Sequence, residues 1–361
     1  MTSKQIERRF NVLKTAAAIF LALGFALLVI TFVSEDPVKA ITAFIVGPFQ
    51  KASRMSNIVE VMTPLLFTGT AICIMYQANQ FSMIGEGAFL IGANLCTWFA
   101  VTHDKWAGLP LLLVCFIVAI TAGIAAAIVP AVLKVKFKAN EVVSSIMMNY
   151  VLLKFSDYFF YYYFRDVPSG QQASYPIPAQ IKMPKLIPGL RLHAGVLIGL
   201  AVAVLAYLFV YRTKWGYAVR MVGANQNFAK YSGISVMSVA LSTQLIGGGI
   251  AGLGGAVEIL GRYDRFIWFG TQPGFGFDGV LVGVLAKNNP LLVPIAAMFL
   301  AYMRTGADVM NRVSDVPIEF VDVVQGLIIL FVAAEMFMAK YKHKLIVNNA
   351  KKQLEAKEAA E

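Results

Sequence analysis

Residues Leu109–Val132 read LPLLLVCFIVAITAGIAAAIVPAV, a run without a charged side chain. An α-helix needs about 20 predominantly apolar residues to cross the hydrocarbon core of a bilayer, and this run satisfies that length. Similar long runs are Val12–Val33, Ala194–Val210, Val239–Val257, Leu291–Met303 and Val321–Ala339, with shorter candidates at Val59–Met75, Met83–Val101, Val142–Phe164 and Gly279–Leu285. The pattern predicts an all-α polytopic membrane protein with about eight to ten transmembrane helices.

Composition supports this fold class. Hydrophobic residues make up 58% of the 361 positions and charged residues only 14%, whereas about a quarter of a soluble domain is charged. Such a chain cannot cover itself with a solvated surface. The first apolar run is longer than that of a secretory signal and no small-residue cleavage site follows it, so we expect a retained helix.

The net charge of +11 indicates topology through its distribution. Basic clusters recur at the N-terminus, at 134–138, at 212–230 and in the tail after residue 340. The positive-inside rule predicts that these segments and both termini are cytoplasmic in a multi-pass membrane protein. The charge therefore indicates orientation beside membrane lipid, with no nucleic-acid partner expected.

The sequence predicts one transmembrane domain over residues 1–343, followed by a cytoplasmic tail over 344–361. A proline-rich loop, residues 165–191, is expected on the extracytoplasmic side. The aromatic run Tyr158–Phe164 precedes this loop, and it is typical of the aromatic belt at a membrane interface.

Two segments suggest broken helices at matching places in two inverted-repeat-like halves. Phe81–Ala88 reads FSMIGEGA and Gln272–Gly279 reads QPGFGFDG, each with glycines and an acid before apolar sequence resumes. Broken helices at corresponding positions indicate a substrate path in transporters, because irregular backbone at membrane depth must be buried or face a cavity. For Glu86 and Asp278, helix capping and lining of the path are both open and mutually compatible.

Motifs for catalysis and nucleotide binding are missing from the sequence. The glycine-rich stretch Gly247–Gly255 lies in an apolar run without a following Gly-Lys-Ser/Thr, so it is no phosphate loop. Gly248 and Gly252 instead have the small-xxx-small spacing that allows close helix packing. The cysteines and histidines show no metal-site spacing. We expect no enzyme activity, no metal site and no cofactor.

Four ionisable residues fall within apolar runs: Lys154, Asp157, Glu258 and Glu335. Such residues are costly in hydrocarbon and are functional candidates. Lys154 and Asp157 lie three residues apart, so a structural ion pair on one helix face is favoured. Glu258 could fix a helix end or contact substrate.

Several motifs resemble one transporter family. Residues 217–234 contain Gly223-x-Asn225 and Ala229-x-Tyr231-x-Gly233-Ile234, a pattern similar to the coupling loop of permeases in the ribose and branched-chain amino-acid branch of ATP-binding-cassette (ABC) importers. Ala139–Tyr150 is similar to a signature of nucleoside and simple-sugar permeases. Phe81–Gly87 is similar as well, although Ser82 stands where the family more often has Asn. Gly276–Gly279 with Asn288–Pro290 completes a resemblance that runs from about Pro37 to Met338 in matching order.

The resemblance implies a permease subunit, in the cytoplasmic (inner) membrane, of an importer that moves nucleosides, or alternatively simple sugars such as ribose or galactose. It implies as partners a second permease subunit (or a second copy of this chain), a cytoplasmic ABC ATPase and an extracytoplasmic substrate-binding lipoprotein. A different class, an ATP-independent secondary transporter or channel, would require an ion relay, for which the chain offers only scattered acids.

We therefore assign two sets of candidate residues. The substrate-pathway candidates are Asn79, Ser82, Glu86, Asn149, Phe277 and Asp278. The ATPase-coupling candidates, within a cytoplasmic coupling segment at 212–234, are Gly223, Asn225, Ala229, Tyr231 and Gly233.

Overall fold

The computed structural model describes residues 34–106, 108–267 and 270–317, and the single positions 24, 27, 28, 30, 31, 322, 323 and 326. These residues are mainly helical, and the β-structure among them consists of two isolated bridges. The helices are α1 (Pro37–Ile45), α2 (Ala52–Gln77), α3 (Gly85–Thr102), α4 (Leu109–Phe137), α5 (Glu141–Tyr163), α6 (Gly195–Arg212), α7 (Lys214–Ala224), α8 (Gln226–Tyr231), α9 (Val236–Arg262), α10 (Phe275–Leu285) and α11 (Val293–Val313). Short 3₁₀ turns lie at Gly47–Phe49, Val167–Ser169, Ala179–Ile181 and Pro290–Leu292.

Polar side chains mark where several helices begin. Asn140 accepts hydrogen bonds from the amides of Val142 and Val143, at 2.9 and 3.3 Å, at the start of α5. Thr213 and Ser235 cap α7 and α9 in the same way. Each cap satisfies an N–H group that has no partner within its own helix.

The predicted all-α membrane fold is confirmed. Five described helices are long and apolar enough to cross a membrane: Ala52–Gln77, Leu109–Phe137, Gly195–Arg212, Val236–Arg262 and the stretch Pro290–Val313. Helices α3 and α5 have comparable lengths but contain buried polar residues. The predicted spans 12–33 and 321–339 and the predicted tail 344–361 lie outside the continuously described residues, so the count of eight to ten stays a prediction.

The glycine-rich helix α9 makes the close contacts that its small-residue spacing predicts. A Cβ on Gly248 would lie 2.7 Å from the Cβ of Ala127, and a Cβ on Gly252 would lie 3.0 Å from the Cα of Gly123. Gly252 also meets α3, since a Cβ on Gly92 of α3 would lie 2.6 Å from the Cα of Gly252. The backbones of α3, α4 and α9 therefore touch directly, as small residues permit.

Helix α5 confirms one prediction and changes another. The Lys154 ammonium lies 3.3 Å from the Asp157 carboxylate, as expected for an ion pair three residues apart. The aromatic run at its end is not uniformly a surface belt, because Phe160 and Phe164 are buried in the core and contact Phe266. The tyrosines of the run are exposed. The run thus divides between core packing and the surface by helical periodicity.

The described residues fall into two compact units, one made of those up to 47 and from 306 onward and the other of 48–305. In the first unit, the Ser34 hydroxyl donates to Asp315 at 2.6 Å and the Glu35 amide donates to the same carboxylate at 2.8 Å. Gly306 packs against the backbone of Phe44. The candidate residues assigned from the sequence all lie in the second unit.

Candidate functional site

The first break, residues 78–84, separates α2 from α3. Asn79 adopts a left-handed conformation with φ of 57°, which Asn tolerates better than most residues, and its side chain is exposed. Ser82 is fully buried, and its hydroxyl accepts a hydrogen bond from the Ile84 amide at 3.4 Å. Both pathway candidates therefore shape the backbone of the break.

Helix α5 supplies side chains that satisfy this irregular backbone. They recur every fourth residue, so they lie on one helix face. Glu141 accepts from the Phe81 amide at 3.2 Å, Ser145 from the Met83 amide at 2.9 Å, and Asn149 from the Gly87 amide at 3.0 Å while donating to the Met83 carbonyl at 2.9 Å. We call Glu141, Ser145 and Asn149 the α5 ladder. Lys134 at the end of α4 pairs with the Glu141 carboxylate.

The second break, residues 263–274, separates α9 from α10. Gly274 has φ of +83°, a conformation that favours glycine, and α10 begins at the next residue. The amide of Gly274 donates to Glu86 Oε1 at 2.7 Å and the amide of Gly276 donates to Glu86 Oε2 at 2.5 Å. Glu86, in the first turn of α3, therefore holds the beginning of α10.

This geometry refines the interpretation of Glu86. The carboxylate does cap a helix, but the helix belongs to the other half of the chain, and Gly276 lies so close that a Cβ there would overlap the Glu86 backbone. The N-termini of α3 and α10, the two half-helices that follow the breaks, thus meet. A negative charge is favoured at helix N-termini because the N–H groups and the helix dipole both point toward it.

The remaining pathway candidates lie on α10. Asp278 is almost fully buried and forms an ion pair with Arg304 of α11. Phe277 keeps 38% of its surface exposed. Glu86 of α3 thus lies against the first turn of α10, which contains Asp278, while Ser82 and Asn149 lie at the first break.

The coupling segment has exposed aromatic side chains and packs on a small hydrophobic cluster. Tyr231 is 93% exposed, whereas Ala229 is fully buried with Ala78 of the first break. Asn225 accepts from the Phe228 amide at 3.0 Å and so caps α8. Gly233 has φ of +79°, which ends the segment in a tight turn. Gly223 packs directly against the Gln77 carbonyl.

The proline-rich loop is bound to the segment that leads into the second break. The Met183 amide donates to the Leu260 carbonyl at 3.0 Å, and the Ile177 amide donates to the Asp264 carbonyl at 2.9 Å. The Lys182 ammonium pairs with the Asp264 side chain and lowers the pKa of that carboxyl. Backbone hydrogen bonds therefore join the proline-rich loop to the end of α9 and the start of the second break.

A buried ionic cluster lies at the end of α9. Arg262 contacts Glu258 of the same helix at 3.3 Å and Glu60 of α2 at 3.2 Å. Both carboxylates are buried, and a buried charge is costly without a partner, so the Arg262 guanidinium stabilises them. Of the two roles open for Glu258, the contacts are those of a residue fixing a helix end.

Sequence reasoning missed Glu60, Gln77, Glu141 and Ser145. For the α5 ladder a signal was present, since Glu141, Ser145 and Asn149 are polar residues at i, i+4 and i+8 of one helix. Gln77 and Glu60 carry no comparable local signal, because their partners are distant in sequence. The Gln77 side chain bonds to a carbonyl 211 positions away.

Residues 54–333 match the family described as branched-chain amino acid transport system / permease component. The chain is 30% identical to the guanosine ABC transporter permease protein NupP of Bacillus subtilis (strain 168), over 94% of this chain and 99% of that protein. It is 30% identical to the glucose ABC transporter permease protein TsgB13 of Haloferax volcanii, over 85% and 83%. It is 25% identical to the nucleoside ABC transporter permease protein NupB of Lactococcus lactis subsp. cremoris, over 89% and 88%. No solved structure matches the chain significantly.

Proposed function

The chain belongs to the family of branched-chain amino acid transport system permease components, and we propose that its substrates are nucleosides. As a permease of an ABC importer, it is a multi-pass membrane subunit, and ATP hydrolysis belongs to a separate protein. The ATP-independent alternative is thereby disfavoured. The observation that carries the nucleoside proposal is the similarity to the guanosine permease over nearly the full length of both chains.

The geometry supports transport through alternating access. Two half-helices meet with their N-termini at Glu86, and broken helices of this kind surround substrate paths in transporters. A rigid-body rearrangement of such helices can open one side of a bundle while closing the other. Asn79, Ser82, Glu86, Asn149, Phe277 and Asp278 are the residues that we place along or beside this path.

The partners follow from the same assignment. We propose that a cytoplasmic ABC ATPase contacts the coupling segment through the exposed Tyr231, with Gly223, Asn225, Ala229 and Gly233 shaping that surface. An extracytoplasmic lipoprotein would deliver the substrate to the side that bears the proline-rich loop, and a second permease chain, identical or not, would complete the pore. Both termini are placed in the cytoplasm, following the basic clusters.

The proposal is tested by reconstituting the chain in proteoliposomes with the ATPase, the lipoprotein and any second permease encoded beside it. We expect ATP-dependent accumulation of radiolabelled guanosine inside the vesicles. Omission of ATP serves as the control, because an ABC importer does not accumulate substrate without it. A complex that assembles and hydrolyses ATP yet accumulates no nucleoside contradicts the substrate assignment.

Simple sugars are the second candidate substrate class, favoured by the equal identity to the glucose permease TsgB13. The same vesicles distinguish the two classes when radiolabelled ribose, galactose and glucose are offered in parallel. Binding of each compound to the isolated lipoprotein gives an independent measurement, since capture of substrate belongs to that protein. Sugar accumulation without guanosine accumulation assigns the importer to sugars.

A further inference from the structure

Helix α10 packs along the second half of α2 through glycines. A Cβ on Gly279 would lie 2.6 Å from the Cβ of Thr68, and a Cβ on Gly283 would lie 2.9 Å from Cγ2 of Ile72. The residue numbers of the contacting pairs, Thr68 with Gly279 and Ile72 with Gly283, increase together along both helices. The two helices therefore run parallel. Close-packed helices with so little space between them transmit displacement as one body.

Both ends of α10 are held by residues that flank the first break. At its beginning, the Gly274 and Gly276 amides bind Glu86. At its end, the chain turns through Asn288, whose φ is +57°. The carbonyl of Asn288 accepts a hydrogen bond at 2.8 Å from the side-chain amide of Gln77, the last residue of α2.

Gln77 also contacts the coupling segment. The α7 backbone at Gly223 lies against the Gln77 carbonyl, leaving no room for a Cβ. The side-chain amide of Gln77 donates in addition to the Tyr211 hydroxyl at 3.3 Å. The Arg220 guanidinium of α7 lies over the same tyrosine ring, 5.2 Å from its centroid. One glutamine therefore joins α7, the end of α6 and the turn after α10.

We propose that Gln77 is the positioning residue through which displacement of the coupling segment by the ATPase is passed to α10. The inference rests on the proposed importer function and adds the route inside the chain. A push on α7 reaches the Gln77 backbone through Gly223, and the side-chain amide then carries the Asn288 turn with it. Because Gly279 and Gly283 pack closely against Thr68 and Ile72 of α2, α10 moves with α2 instead of sliding past it.

The ratio of substrate taken up to ATP hydrolysed tests this role. Gln77→Met keeps the side-chain length but removes the donor, and Gln77→Glu keeps the shape while presenting an acceptor to the Asn288 carbonyl. In the reconstituted complex we expect both variants to retain stimulated ATPase activity and to lower the uptake-to-ATP ratio by about five- to tenfold. Loss of folded protein alone would lower both activities together and leave the ratio unchanged.

Gln80→Met is the matched control. Gln80 lies three residues further along, and its bonds to the Ala78 carbonyl at 3.3 Å and the Gln244 amide at 3.5 Å do not involve α10. We expect its uptake-to-ATP ratio to equal that of the unaltered chain. An equal fall in the control variant, or unchanged ratios in both Gln77 variants, overturns the proposal.

A second measurement does not depend on the identity of the substrate. Phe277→Cys places a thiol on the partly exposed face of α10, while the three native cysteines are buried. We expect ATP with vanadate to change the rate at which a maleimide labels this thiol, and Gln77→Met to abolish that change. Absence of an ATP-dependent change when Gln77 is present, or its persistence in Gln77→Met, contradicts the proposal even if nucleoside uptake is not observed.

Discussion

The two breaks satisfy the same physical requirement by different means. At the first break, three side chains of one neighbouring helix, the α5 ladder, bind separate backbone groups along residues 81–87. At the second break, one carboxylate, that of Glu86, binds two amides at the start of α10. Unpaired backbone groups are costly in an apolar bundle, so both arrangements are needed. Earlier residues of the second break bind the proline-rich loop and Asp157, but the start of α10 is held by the Glu86 carboxylate, whereas residues 81–87 are held by three side chains.

This difference implies an order of dependence. Glu86 belongs to the first turn of α3, whose position is set by the first break and the α5 ladder. The start of α10 is therefore held by a residue that the first break must position, whereas the backbone of residues 81–87 is bound by side chains of α5. We expect disturbance of the first break to reach the second, and disturbance of the second to remain largely local.

The contact between the two half-helices gives the largest expected effect. Gly276→Ala places a Cβ into the backbone of Glu86, and since backbone atoms cannot rotate away, the half-helices must separate. Overpacking of this kind costs about 3 kcal/mol or more in the free energy of unfolding. We expect a marked fall in the thermal unfolding temperature of the purified chain and loss of uptake in vesicles.

Gly85→Ala is the control at the same junction. Its Cβ would meet Cδ1 of Ile72 at 3.8 Å and the Cα of Gly276 at 4.0 Å, which are ordinary contacts. This variant should unfold at nearly the temperature of the unaltered chain. Equal destabilisation by the two substitutions would show that the half-helices do not meet as described.

Glu86→Gln tests the single-residue arrangement at the start of α10. The amide group retains one acceptor oxygen but turns a donor toward one of the two glycine N–H groups, so a charge-assisted hydrogen bond is lost. We expect a loss of about 2 kcal/mol in the free energy of unfolding. Hydrogen exchange of the backbone amides should accelerate at 274–278 and stay nearly unchanged at 81–84. Faster exchange at both breaks would remove the proposed order of dependence.

The sequence predicted the membrane fold because long apolar runs record burial in lipid residue by residue. It also located both breaks, since glycines and acids interrupt those runs locally at Glu86 and Asp278. The bond from Glu86 to the start of α10 joins positions 188 residues apart, and nothing in the local pattern encodes such a pairing. The α5 ladder is intermediate in predictability. The sequence shows the spacing of its polar residues, but it does not show which backbone groups they bind.

Asn149→Leu tests the distributed arrangement at the first break. The substitution leaves the Gly87 amide and the Met83 carbonyl without their side-chain partner. We expect a loss of about 1 to 2 kcal/mol, smaller than for Glu86→Gln because Glu141 and Ser145 remain. Amide exchange should accelerate at 81–87 and, through Glu86, at 274–278. Acceleration confined to 81–87 would show that the second break does not depend on the first.

Ser145→Ala removes one rung of the α5 ladder and gives the smallest effect. The Ser145 hydroxyl accepts from the Met83 amide at 2.9 Å, so alanine leaves that amide without this partner and should cost about 1 kcal/mol. The hydroxyl of the adjacent Ser144 donates to the Glu141 carbonyl of its own helix, at 3.3 Å, which makes Ser144→Ala a matched control. We expect thermal unfolding to shift for Ser145→Ala and not for Ser144→Ala. Since two rungs remain, uptake per folded molecule should persist in both. A loss of uptake in Ser145→Ala as complete as in Gly276→Ala would mean that the first break depends on a single residue, as the start of α10 does.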